Sequence, residues 1–305
     1  MSQPNSVTVE NGPLGQGGQV GAHDVRRRPT LVIRASSGWA NLNLREVWAY
    51  RELLYFLAVR DVKVRYKQTA LGAAWALFQP LTMVLVFSVF FGRVAKIGSE
   101  GLPYPVFCLA ALVPWGGFVA GLGRAAGGLL ASSGLITKVY FPRLVVPLSS
   151  VLGAIPDFLL AFAVLLGMMW WYGVRLTAAA AIGPLLAVLV FASALGFGLW
   201  LSALTVRYRD LHHVLAFLIQ IWLYGTPVIY PTAYVTDRLQ ALGVPGWVYG
   251  LNPMVGPVAG FRAALVGGAP IPWSLLGVSS IVTTIVVISG AFFFRRTERT
   301  FADVI

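Results

Sequence analysis

The chain has 305 residues, 57% of them apolar and only 11% charged, with a net charge of +12. A soluble domain is about a quarter charged, so this sequence has too few polar side chains to coat a water-facing surface, and much of its exterior is expected to face lipid. The positive charge would suit nucleic acid, but no aromatic-interleaved basic face in a soluble domain exists to carry it, and the single cysteine, Cys108, excludes a disulfide framework.

Residues 1–30 are polar, with Gly, Gln, Asn and Pro, and are expected to form a disordered cytoplasmic extension. They do not read as a secretory signal, because no apolar core follows Arg26–Arg28 at the right distance. Residues 44–64, LREVWAYRELLYFLAVRDVKV, are predicted as an amphipathic helix. Arg45, Glu52, Arg60 and Lys63 fall on one face, and Val47, Tyr50, Leu54 and Ala58 on the other. Such a helix lies in the membrane interface with its cations toward the headgroups. It serves either as a simple anchor or as a surface that also meets a cytoplasmic partner.

A bilayer span needs about twenty apolar residues. Six candidates follow in chain order, at roughly 69–91, 104–123, 144–172, 176–206, 213–230 and 273–294. The third and fourth exceed the minimum and imply tilt or projecting ends. Pro227 suggests a break near the end of the fifth. Of the 23 Lys and Arg, 18 precede span one, follow span six or lie in the two loops on that same side, against 5 on the other. Cations stay cytoplasmic, so both termini are expected inside. The expected fold is an all-α integral membrane protein with six transmembrane helices.

The loop between spans two and three, LLASSGLITKVYFPRLVVPL (129–148), leaves the membrane but is short and partly apolar. Leu135, Val139 and Pro142 recur at helical spacing beside Lys138 and Arg143. A cytoplasmic helix with exposed rings at Tyr140 and Phe141 either meets a partner or docks back onto headgroups. Asp157 is the one carboxylate well inside a span; it is expected to pair with a polar group on a neighbouring helix or to face a wet cavity.

No phosphate-binding loop of the form G-x-x-x-x-G-K-[ST] occurs, so the chain is expected to bind no nucleotide itself. GLGRAAGG (121–128) contains G-x-G-x-x-A but follows a span rather than a strand; small residues for close helix packing explain it. His23, His212 and His213 have no metal-site spacing, and no Ser/His/Asp set can be assembled. A transporter with these features has no visible energy source of its own.

LNLREVWAYRELLYFLAVRDVKVRYKQTALGAAWALFQPL, KVYFPRLVVPLSS, TPVIYP (226–231) and LNPM (251–254) with Arg262 resemble, in order and spacing over residues 31–305, the ABC-2 type permeases of bacterial polysaccharide exporters, the O-antigen and teichoic-acid exporter family. The first thirty residues lie outside the resemblance. It implies a multi-pass bacterial inner-membrane protein that forms a homodimer and works with two copies of a separate ATPase, on which ATP and Mg are bound. The substrate it implies is a polysaccharide on a polyprenyl diphosphate, moved outward; the alternatives are an ABC-2 permease for another lipid or drug, or a membrane enzyme acting on lipid carriers.

By the same resemblance the 129–143 loop is an ATPase-coupling element, with Lys138, Tyr140, Phe141, Pro142 and Arg143 at the contact. Residues 231–270, including Asn252, Pro253 and Arg262, would form short re-entrant helices on the outer face. Arg60, Arg65 and Lys67 would meet either the lipid diphosphate or ordinary headgroups. Trp75, Phe78, Phe87, Trp115, Trp200, Trp222 and Tyr224 fall inside spans and could line a sugar path, since aromatic rings present apolar faces to sugar C–H bonds. They could equally fill helix interfaces and lipid belts.

Overall fold

The computed structural model describes residues 44–67, 72–208 and 210–298; for Leu44, residues 72–77, His212 and His213 it describes the backbone alone. The 1–30 extension, the side chain of Trp75, and His23 lie outside the described residues. Among the described residues the secondary structure is entirely helical.

The chain enters through α1 (Leu44–Ala49) and α2 (Arg51–Lys67). Tyr50 breaks what the sequence predicts as one amphipathic helix. The two faces nonetheless fall as the spacing implies. Arg45, Glu52, Arg60 and Lys63 are exposed, while Val47 and Leu57 are buried with Tyr50 and Leu54 beside them. The outer surface also carries the exposed rings Trp48, Tyr55 and Phe56, the mixture of aromatics and cations that suits a headgroup layer.

Next come α3 (Gly72–Phe87), which widens without interruption into a π-helical stretch (Ser88–Val94), and α4 (Tyr104–Ala131). A one-turn helix, α5 (Ser133–Ile136), leads to α6 (Val145–Leu152) and α7 (Ile155–Trp171). The expected third span is therefore two helices. They part at Gly153 and Ala154, where Pro156 sits in the first turn of α7 and cannot continue the preceding ladder. The 3₁₀ turn Ala178–Ile182 feeds α8 (Gly183–Arg207), followed by α9 (Leu211–Tyr224). Then α10 (Thr232–Ala241), a 3₁₀ turn (Gly246–Leu251) and α11 (Val255–Leu265) precede the last helix, α12 (Trp273–Thr297).

Among the described residues four segments are long and apolar enough to cross a bilayer: Tyr104–Ala131, Val145–Trp171, Ala178–Arg207 and Trp273–Thr297. The segments expected as spans one and five carry shorter described apolar helices, Phe78–Val94 and Val214–Tyr224.

Burial distinguishes α4 from the other three. Its most apolar window is 72% buried, against 28% in each of the others. A helix apolar all round and enclosed by neighbours is a core helix, and α4 packs against α3, α6, α7, α8 and α11. The remaining long helices turn apolar side chains outward, such as Leu185, Val188, Ile281 and Ile285.

Close approach between helices rests on small residues. A Cβ on Gly290 of α12 would lie 2.6 Å from the carbonyl oxygen of Gly196 in α8, so these two backbones touch. A Cβ on Gly128 would meet the Ser150 hydroxyl of α6 at 2.6 Å, which accounts for one glycine of the GLGRAAGG run.

Candidate functional site

The helix connections gather at two ends. One end carries α1, α2, the α5 loop, the α8–α9 connection and the C-terminus of α12; it is the cationic end. The opposite end carries the 95–103 loop, α10, the second 3₁₀ turn and the links into α8 and α12.

At the cationic end the chain changes direction between α5 and α6. Lys138, Val139 and Tyr140 are exposed, Tyr140 at 67%. Phe141 is 4% exposed, packed in one cluster with Leu57, Leu129, Leu144 and Phe294, and Pro142 is buried beside it. The expectation that both rings face outward therefore fails for Phe141. Adjacent residues in an irregular segment point to opposite sides, so one ring closes the protein's own core and the other is left at the surface. The helix expected from Leu135, Val139 and Pro142 is the single turn of α5.

Arg143 points back into the protein. Its backbone N–H donates to Oε1 of Glu298 at 3.2 Å, and its Nη1 donates to the Glu298 carbonyl at 2.5 Å. Arg295 bridges Glu298 at 2.8 Å and Glu46 at 3.5 Å. One network thus ties α1, the α5–α6 loop and the end of α12 together.

Deeper at the same end, Asp157 occupies the first turn of α7. Its Oδ2 takes Arg124 Nη2 at 2.5 Å and Arg65 Nη1 at 3.0 Å, and its Oδ1 accepts from the Tyr66 hydroxyl. Nη1 of Arg124 donates to the Gly153 carbonyl at 2.5 Å, at the break between α6 and α7. A single carboxylate therefore joins α2, α4 and α7. Burial and the hydrogen bond to Asp157 push the Tyr66 phenol above its ordinary value, so it remains a donor.

Arg124 is the member that sequence reasoning placed in a loop. The apolar run AAGGLLA continues past it to Ala131, and this was the signal that it belongs to the helix. Arg60 pairs with its neighbour Asp61 at 2.9 Å, and Lys67 is exposed. Of the three cations expected at the lipid entrance, Arg60 and Arg65 are thus engaged with carboxylates.

Of the seven aromatics expected along a sugar path, the six with described side chains separate. Phe87, Trp115 and Trp222 share one core cluster with Phe118 and Phe197, the Trp222 ring lying 5.1 Å from Phe118 and 4.9 Å from Phe197. Trp200 stacks on Phe293 at 4.2 Å and donates to the Ser289 hydroxyl at 3.2 Å, in an α8–α12 contact. Phe78 and Tyr224 are exposed.

At the opposite end, Asn252 is a hub. Its Oδ1 accepts from Trp222 Nε1 at 2.9 Å and from the Met254 N–H at 3.1 Å, and its Nδ2 donates to the Gly225 carbonyl and the Thr226 hydroxyl at 3.0 and 3.1 Å. Pro253 is buried next to it. Arg262 is buried in α11, with its guanidinium carbon 4.0 Å from the Phe107 ring centroid and Nη1 donating to the Pro227 carbonyl at 3.0 Å. Among the described residues no three His, Cys, Asp or Glu side chains come together as metal ligands.

Comparison with known proteins places this arrangement among transporters. The ABC-2 type transporter family matches residues 52–266. The chain is similar to the O-antigen export system permease protein RfbA of Myxococcus xanthus, 28% identical over 264 residues, 86% of this chain and 98% of the relative. It is 25% identical to the O-antigen export system permease protein RfbA of Klebsiella pneumoniae over 83% of this chain and 95% of that protein. It is 24% identical to the polysialic acid transport protein KpsM of Escherichia coli over 79% of this chain and 92% of that protein.

Proposed function

Because this chain belongs to the ABC-2 type transporter family, we propose that it is the membrane subunit of an ATP-driven exporter of bacterial surface polysaccharide. The observation that carries this reading is near-full-length similarity to O-antigen export permeases, which covers 98% of the Myxococcus xanthus relative. The substrate on this reading is a polymer carried on a polyprenyl diphosphate and moved from the cytoplasm to the outer face. The protein itself is a conduit and not an enzyme.

In the membrane, α3 and α9 complete the four long apolar segments to six spans, and both termini are cytoplasmic. The cation count supports this orientation, with 18 of the 23 Lys and Arg on the side that holds both termini. Then α10, the second 3₁₀ turn and α11 are re-entrant elements on the outer face. Irregular backbone at membrane depth must be shielded by protein, and every residue of α11 is buried.

The working assembly is a homodimer with two copies of a cytoplasmic ATPase that binds ATP and Mg. Tyr140 and Lys138 project from the cationic end toward that ATPase. Phe141, Pro142 and Arg143 fix the loop from behind by packing and by the Glu298 contact. The Asp157 clasp then gives a mechanical route inward, because a push on α2 reaches α4 and α7 through Arg65, Tyr66 and Arg124.

Deleting the gene from its host tests the reading. Surface polysaccharide should disappear while lipid-linked polymer builds up inside, and the intact gene should restore export. Unchanged surface polysaccharide in the deletion strain would refute it.

A further inference from the structure

The end opposite the cations contains a cavity of about 420 Å³ that the arrangement above leaves without a task. Its size is that of small-molecule sites, about 300–1,000 Å³. Three separate pieces of chain build it: the loop before α4 supplies Glu100, α10 and the following 3₁₀ turn supply Thr236, Gln240 and Trp247, and α11 with the start of α12 supplies Arg262 and Ser274.

Arg262 lines this cavity although it is only 2% exposed. Its Nη1 donates to the Pro227 carbonyl at 3.0 Å and its Nη2 to the Thr232 hydroxyl at 3.3 Å. Its Nε stands 4.0 Å from Oε2 of Glu100, beyond hydrogen-bond range, and finds no other acceptor among the described residues. The Glu100 side chain is itself only 15% exposed. A buried guanidinium and a mostly buried carboxylate therefore face each other across a gap that neither closes.

The chemistry of that gap selects its occupant. A bridging group must accept from Nε–H and donate to the carboxylate; the 4.0 Å separation leaves no room on the line between them, but an atom about 2.8 Å from each sits beside that line. A hydroxyl does both. An ionised phosphate or carboxylate has no proton to give Glu100, and an ammonium has no lone pair to take the Arg262 N–H. An apolar tail would leave the charge pair buried without further partners, which is costly. Elsewhere in the cavity lining, Gln240 and Ser274 offer donors and acceptors, the Thr236 hydroxyl, which donates to its own helix, offers an acceptor, and Trp247, half exposed, offers an indole surface. Apolar C–H faces edged by hydroxyls are the surface of a sugar ring.

We propose that this cavity is a carbohydrate subsite that takes a sugar unit of the polymer; its place at the outlet rests on the export reading above, while its chemistry does not. The test uses the chain with its ATPase in lipid nanodiscs. The probe is the host's own surface polysaccharide, freed of lipid by mild acid and cut to short oligosaccharides, titrated by calorimetry. Saturable binding is expected, weakened at least about fivefold by Trp247→Ala, the order expected for loss of an aromatic contact. Glu100→Gln, which keeps the shape but removes the charge, should weaken it further, and Leu242→Ala, on the exposed end of α10, should not change it. If Glu100→Gln does not fold, Trp247→Ala and Gln240→Ala, both at exposed positions, decide the matter. No saturable binding by the unaltered protein, or unaltered binding by both exposed-site variants, overturns the subsite. The gene deletion judges export separately: loss of surface polysaccharide with no oligosaccharide binding would refute the subsite and leave export standing.

Discussion

The two ends of this protein are held together by different forces. At the cationic end, charge does the joining: Asp157 gathers Arg65, Arg124 and Tyr66, and Glu298 gathers Arg143 and Arg295. At the opposite end neutral hydrogen bonds dominate, with Asn252 at their centre, and one arginine is buried against a phenyl ring. Ion pairs lose strength when either partner moves or water enters. Packed neutral contacts are less sensitive to both.

The contrast is sharpest at Asp157. Asp157→Ala should give the largest loss, about 3–4 kcal/mol, because it leaves the part-buried Arg124 without its counter-charge and beside the like charge of Arg65. Thermal unfolding in detergent checks this, and Asp157→Ala with Arg124→Ala should cost less than the sum of the two singles. Additive losses would mean that the clasp is incidental. Next comes Phe141→Ala, expected to cost about 3 kcal/mol through the cavity it opens. Asn252→Ala should follow at about 2 kcal/mol, because buried partners lose their hydrogen bonds; unlike the clasp variants it should be insensitive to added salt.

The smallest stability effect belongs to Tyr140→Ala, within about 0.5 kcal/mol as for exposed substitutions generally. Its consequence should appear elsewhere, as loss of ATPase co-purification from membranes, while Phe141→Ala loses stability first. If the two variants behave alike in both measurements, the division between an outward ring and an inward ring is wrong.

Much of the helical framework was legible in the sequence, because long apolar runs have few other uses. Tyr104, Trp273 and Val145 begin helices close to where the runs begin. What stayed hidden was decided by neighbours distant in the chain. Arg124 marked the end of a run by its charge, yet it continues the helix because Asp157, 33 residues on, compensates it. Tyr140 and Phe141 are indistinguishable by type, and only the cluster around Leu129 and Phe294 selects which is buried. The aromatics meant for a sugar path scattered for the same reason: a ring inside an apolar helix reads identically whether it meets a helix, a lipid or a ligand. The cavity beside Arg262 was out of reach as well, since Glu100, Trp247 and Ser274 come from three separate stretches.

The most direct measurement places the chain and its ATPase in proteoliposomes loaded on the ATPase side with lipid-linked polysaccharide, and follows the polymer's accessibility to a glycan-specific lectin on the other side. The account predicts ATP-dependent appearance of polymer that requires both subunits and falls with Asp157→Ala. Steady ATP hydrolysis by the intact pair with no polymer crossing would contradict it.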